Sequence, residues 1–140
     1  MIYVDTNVIV YAIENHPKFG ASCKKILEDV EDRKLEACCS VLVLVELINV
    51  LKKLNDILLR QGGRKLSIKD NIEAVMSLPI VWMDLDFLVI EKASTYAFDI
   101  NGVDYVHIAS MELNSINEIL SVDKDLDKVG SIRRIDPLDY

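Results

Sequence analysis

The chain has 140 residues, 51% of them hydrophobic and 28% charged, with a formal net charge of −7. That is one domain of ordinary size with enough apolar material for a core, and the composition excludes a disordered chain. The acidic balance argues against a protein that grips nucleic acid over its whole surface. The cations cluster locally, at Lys52-Lys53, Arg60, Arg64-Lys65 and Arg133-Arg134, so a phosphate-binding patch stays open. The longest apolar stretch, Ala37 to Leu51, is interrupted by Ser40, Glu46 and Asn49 and is too short to cross a bilayer. No basic segment precedes the first apolar residues, so the start does not read as a signal peptide. Three cysteines, Cys23, Cys38 and Cys39, form an odd set without C-x-x-C spacing. That fits a reduced cytoplasm and argues against a disulfide scaffold or a zinc site.

Strand and helix signals alternate along the chain, which predicts an α/β fold with a mainly parallel sheet of about five strands. Ile2–Asp5 is a short apolar run, as expected of a buried parallel strand. Thr6 or Asn7 is a candidate cap for a helix over Val8–Glu14. His16-Pro17 breaks the chain before a second helix over Lys18–Asp32. Leu35–Cys39 reads as a strand, with Cys38 and Cys39 as small core residues. Ser40 is placed to cap a long helix ending near Leu59. Arg60-Gln61-Gly62-Gly63-Arg64 marks the clearest loop. Ser67 caps Ile68–Ser77, Pro79 ends that helix, and Ile80–Met83 forms a strand. Asp86 starts a helix reaching about Ala97, Asn101-Gly102 makes a turn, and Asp104–Leu113 is helical. Glu118–Val122, Lys124–Lys128 and Ile132–Ile135 complete the order as strand, short helix and strand. Trp82 is expected in the core.

Four carboxylates stand at the edges of these elements: Asp5, Glu46, Asp104 and Asp123. Asp5 and Asp123 directly follow strands, at the sheet edge where ligands bind in such folds. Three of the four have ordinary explanations. Asp5 suits a turn, Asp104 suits the first turn of a helix with Asn101 as a capping partner, and Asp123 suits a cap. Glu46 differs, because Leu42, Val43 and Val50 surround it at helical spacing and only Asn49 and Lys53 keep it company. A carboxylate there is costly without a partner or a cation. Converging carboxylates repel one another, and a divalent ion removes that penalty while activating water against a phosphodiester.

Four blocks then carry a family resemblance: Val4-Asp5-Thr6-Asn7-Val8, Val45-Glu46-Leu47, Asp104-Tyr-Val-His-Ile-Ala109, and Ser121-Val-Asp123-Lys-Asp125-Leu126. In order and spacing the chain resembles PIN-domain ribonucleases, and among them the VapC-type toxins of toxin–antitoxin pairs. No block is specific alone, Asp5-Thr6-Asn7 less so than the block from Asp104 to Ala109, but the ordered set spans nearly the whole chain. The resemblance implies a PIN-like three-layer α/β/α sandwich and an endoribonuclease dependent on Mg²⁺ or Mn²⁺. It implies Asp5, Asp104, Glu46 and Asp123 as metal-binding and catalytic residues. Thr6, Asn7 and Ser121 would support them by hydrogen bonds, and Asp125 matches a secondary, supporting acidic position or else is a solvated helix residue. It further implies an RNA substrate, a small antitoxin partner and a homodimer. Ser121 stands where the family usually has Thr, and Leu126 where it usually has Phe; both keep the relevant chemistry.

The remaining signals are weaker. His107 follows Asp104 by one turn, but neutral imidazole suits Mg²⁺ poorly, so it is expected to be a packing residue. Arg60, Arg64 and Lys65 are candidate RNA-phosphate contacts, or else a solvated helix end. A phosphoacceptor signalling domain would need an acidic pair after the first strand, where Thr6-Asn7 stands. A phosphatase of the Asp-x-Asp type fails for the same reason. A catalytically dead PIN-like domain that only binds RNA or protein is disfavoured by the presence of all four carboxylates.

Overall fold

A computed structural model describes residues 1–140. Its five strands are β1 (Ile2–Val4), β2 (Ala37–Ser40), β3 (Val81–Met83), β4 (Glu118–Leu120) and β5 (Arg133–Ile135). They form one sheet in the order β3-β2-β1-β4-β5, and every pairing is parallel. The helices are α1 (Thr6–Ile13), α2 (Gly20–Glu31), α3 (Leu42–Arg60), α4 (Ile68–Ser77), α5 (Phe87–Ala93) and α6 (Gly102–Leu113). Short 3₁₀ turns cover Lys124–Lys128 and Pro137–Asp139.

This strand order decides where the site falls. The chain builds outward from β1 through β2 to β3, then crosses back to add β4 and β5 on the other side. Right-handed crossovers in opposite directions put helices on opposite faces of the sheet. The packing agrees: α1 lies against α2 and α3, α4 against α3, and α5 against α6. The sheet therefore has a topological switch point between β1 and β4, where a crevice opens beyond the strand ends. The central strands β1 and β2 are wholly buried, whereas the edge strands are partly exposed. Val4, Ile9, Leu47, Leu51, Ile108 and Leu120 lie at the centre of the core, each 0% exposed.

Local chemistry sets most element boundaries. The expected caps Ser67 and Asp86 do cap α4 and α5, accepting from the amides of Asp70 and Val89. Asn101 caps α6 by accepting from the Val103 amide, so that helix starts earlier than its acidic residue suggested. α1 also starts earlier, because Asp5 caps it rather than Thr6 or Asn7. α5 stops at Ala93, short of the expected Ala97. α3 ends in a Schellman closure: Gly62 takes a φ of +71°, and the Gly63 amide reaches back to the Leu58 carbonyl at 2.8 Å. Only glycine takes that φ without steric cost. The cysteines are free and buried, as small core residues should be. Trp82 is only half buried, since β3 is an edge strand. No helix is long and apolar enough to cross a membrane.

Candidate active site

A cleft of about 310 Å³ opens at the switch point, lined by Asp5, Thr6, Asn7, Val10, Tyr11, Glu46, Val50, Asp104 and Asp123. All four predicted carboxylates meet there, although 118 positions of chain separate Asp5 from Asp123. Asp5 ends β1 and caps α1, Glu46 comes from α3, Asp104 from the first turn of α6, and Asp123 from the segment after β4.

Asp5 is the most constrained of them, at 8% exposure. Its Oδ1 accepts from the Thr6 amide at 2.7 Å. Its Oδ2 accepts from Asn7 Nδ2 at 2.8 Å and from the Ser121 hydroxyl at 2.6 Å. Asn7 also accepts from the Val122 amide at 3.2 Å, and Ser121 Oγ accepts from the Asp123 amide at 3.0 Å. Asn7 and Ser121 thus tie the start of α1 to the segment after β4 across the crevice. Burial raises the Asp5 pKa, and the Glu46 charge adds to this; the His107 charge and the Ser121 and Thr6 hydrogen bonds oppose it without reversing it.

Asp104 has no hydrogen-bond partner for its carboxylate. Burial, with the nearby charges of Asp5, Asp123 and Glu46, pushes it up to about 6 against the His107 charge. Burial is the larger cause, and the like charges of the cleft add to it. Asp123 caps the following 3₁₀ turn through the Asp125 amide at 3.0 Å while still lining the cleft.

The surroundings of Glu46 differ from the sequence expectation. Its helix is not apolar because it is buried all round: Val45 and Ile48 are 60% and 47% exposed. The Glu46 side chain is itself 31% exposed, turned into the cleft rather than into the core. Its Oε1 accepts from Thr6 Oγ1 at 2.8 Å and contacts His107 Nε2 at 2.5 Å. Burial pushes the Glu46 pKa up, but the His107 bond and charge with the Thr6 bond outweigh it, and the net shift is down. Burial likewise pushes His107 down, but the Glu46 bond and the charges of Asp5, Glu46 and Asp104 leave it raised.

His107 is buried and hydrogen-bonded, as expected of a packing histidine, but one of its partners is a site carboxylate. Its other nitrogen meets the hydroxyl of Tyr3 at 2.6 Å. The sequence signal for this was present: His107 is three residues after Asp104, on the same face of α6. Tyr3, and Tyr11 on the cleft wall, had no such signal. Asp125 is not in the cleft; its carboxylate pairs with Lys128 at 3.1 Å, and only its backbone amide serves the site. Arg60, Arg64 and Lys65 are exposed and form no ion pair. They lie at the far end of α3, and fourteen residues at 1.5 Å each put Arg60 roughly 20 Å along the axis from Glu46.

The donor set suits a hard divalent cation. The cleft presents carboxylate oxygens and no thiolate, and both nitrogens of His107 are engaged. No three His, Cys, Asp or Glu side chains stand close enough to cage an ion by themselves. Mg²⁺ needs no such cage, since it retains waters and takes one or two carboxylates.

Fold and cleft together define an α/β domain with a cluster of carboxylates at the switch point of a parallel sheet. The PIN domain family model matches residues 2–132; the chain belongs to this family, whose members are typically nucleases. Similar solved structures include a toxin–antitoxin complex from Klebsiella pneumoniae, with 13% identity, a TM-score of 0.68 and 98% of each chain covered. VapBC2 from Rickettsia felis, bound to a DNA fragment from its promoter, has 17% identity and a TM-score of 0.67, covering 96% of this chain and 98% of that one. VapBC-1 from nontypeable Haemophilus influenzae has 16% identity and a TM-score of 0.64, with 99% of each chain covered. No curated protein matches the sequence significantly.

Proposed function

We propose that the protein is a Mg²⁺- or Mn²⁺-dependent endoribonuclease, the toxin of a cytoplasmic toxin–antitoxin pair. The observation that carries this reading is the convergence of Asp5, Glu46, Asp104 and Asp123 on one cleft, with Asp104 pushed up to about 6. Asp5 and Asp104 would hold the cation, assisted by Glu46 and Asp123. Thr6, Asn7 and Ser121 would hold Asp5 and Glu46 in place through the bonds described. The bound ion would polarise the phosphodiester and lower the pKa of an attacking water. Glu46, whose Oε1 is bonded to Thr6 and His107, would orient that water through its other oxygen.

Similarity to toxin–antitoxin complexes supports a small antitoxin partner. An apolar patch on α5, with Phe87 at 92% and Leu88 at 58% exposure, supports a homodimer.

The decisive experiment incubates the purified protein with mixed RNA, with Mg²⁺ or Mn²⁺, with chelator, and beside Asp5→Asn. The expected result is cleavage that needs the metal and is lost in the variant. Cleavage surviving chelator or substitution would overturn the mechanism, and no cleavage of any RNA would favour a non-catalytic binding domain.

A further inference from the structure

A chain of hydrogen bonds runs through the protein interior and ends at Glu46. The Ser40 amide donates to the Tyr3 hydroxyl at 3.1 Å. That hydroxyl meets His107 Nδ1 at 2.6 Å, and His107 Nε2 meets Glu46 Oε1 at 2.5 Å. Tyr3 is 0% and His107 2% exposed. Burying a phenol and an imidazole among aliphatic side chains is costly unless both are satisfied, and Phe and Leu would fill the same space without that cost. The chain joins β1, the end of β2, α6 and α3, so it links helices on both faces of the sheet.

Its polarity follows from donor and acceptor counting. The tyrosine oxygen already accepts from Ser40, and His107 Nδ1 is the one acceptor in reach of its proton. Nδ1 of the neutral ring is then bare, and the ring proton is on Nε2, pointing at Glu46. A second ring proton would leave Nε2–H in place, so the bond to Glu46 does not depend on the charge of the ring. Oε1 therefore receives two donors, His107 Nε2–H and Thr6 Oγ1–H. Oε2 has no hydrogen bond and is not among the buried unpartnered atoms, so it opens to solvent in the cleft.

We propose that Tyr3 and His107 are positioning residues that lock Glu46 with Oε1 occupied and Oε2 alone presented to the cation and its waters. This rests on the metal-dependent reading of the cleft. In this arrangement Glu46 binds through one oxygen only, which keeps it from wrapping the ion bidentately. Outer partners of this kind typically change metal affinity by about 10–100-fold when removed.

Two measurements on the full chain test this. In the metal-free protein labelled with ¹⁵N-histidine, His107 is expected to show a slowly exchanging proton on Nε2. A neutral ring protonated on Nδ1, or an Nε2 proton exchanging as freely as in solvent, would overturn the relay. The second measurement is Mn²⁺ affinity in two variants with equal folded content by circular dichroism. His107→Gln keeps an N–H near the Nε2 position, whereas His107→Asn keeps only a group near Nδ1. We expect His107→Gln to bind within a few-fold of the parent and His107→Asn to lose about tenfold or more. Equal affinities in both variants would mean that the ring only packs, and the relay would be rejected. If the parent binds no Mn²⁺, the nuclease reading falls, and the position of the ring proton alone decides the relay.

Discussion

Asp104 has no donor for its carboxylate and faces Asp5, Asp123 and Glu46, so its behaviour is governed by burial and like charge. Its ordinary value is 3.8, and the folded protein pushes it up to about 6. A raised acid pKa means that the folded state holds the proton more tightly than the unfolded state. Stability associated with Asp104 is therefore present at low pH and is lost as pH rises through that window. In the metal-free protein, Asp104→Asn should raise the melting temperature at about pH 7.5 and do less at about pH 5. Melting curves at the two pH values check this, and a lower melting temperature at the higher pH would contradict it. The residue scale also explains why the role of Asp5 was readable and the partner of His107 was not. Asp5 is bonded to Thr6 and Asn7 beside it as well as to Ser121 across the crevice, so part of its setting is local. Spacing put His107 on the Asp104 face of α6, but its partner Glu46 lies 61 positions away, outside any local pattern.

At the scale of elements, α3 carries two separate functions at its two ends. Its first turns bring Glu46 to the cleft, and its last turn is pinned to the loop that follows. Asn55, buried on α3, donates to the Leu66 carbonyl at 2.9 Å and accepts from the Leu66 amide at 2.8 Å. Asn55→Ala strands both backbone groups, and the expected cost is about 1–3 kcal/mol in chemical denaturation. Faster hydrogen exchange at the Leu66 amide should accompany it. Arg60, Arg64 and Lys65 flank this closure with no carboxylate partner, unlike Arg133 and Arg134, which are neutralised by Glu118, Asp127 and Asp136. The loop cations are therefore available to a phosphate backbone, and we propose them as RNA contacts. Converting the three to Ala should weaken RNA binding and flatten its dependence on salt. An unchanged salt slope would remove the loop from the substrate path. Caps and glycines made these element ends legible in the sequence, since they satisfy backbone groups within a few residues.

At the scale of the whole molecule, the cleft is a place where negative charge has been gathered against its own repulsion. A cation that binds only the folded chain should stabilise it by mass action. Mn²⁺ at a hundred times its dissociation constant is expected to add about 2.7 kcal/mol. Thermal melts across a Mn²⁺ titration measure this, chelator should reverse it, and Asp5→Asn should abolish it. An unmoved melting temperature at saturating Mn²⁺ would count against the site.

The sequence by itself determined what depends on near neighbours. The alternation of apolar strands with helices specified a parallel α/β sheet, and four acidic blocks in order specified the PIN pattern. Caps at Ser67, Asp86 and Asn101 belonged to that local level too. Only the tertiary structure decided which side chains share a space. The reversal of strand order beside β1 draws residues 5, 46, 104 and 123 together. It also brings His107 onto Glu46, leaves Asp125 to Lys128, and places the Arg60 loop a helix length away. The physical reason is that periodicity and capping act within one or two turns of chain. Partnership across the cleft depends on how whole helices are laid over a shared sheet.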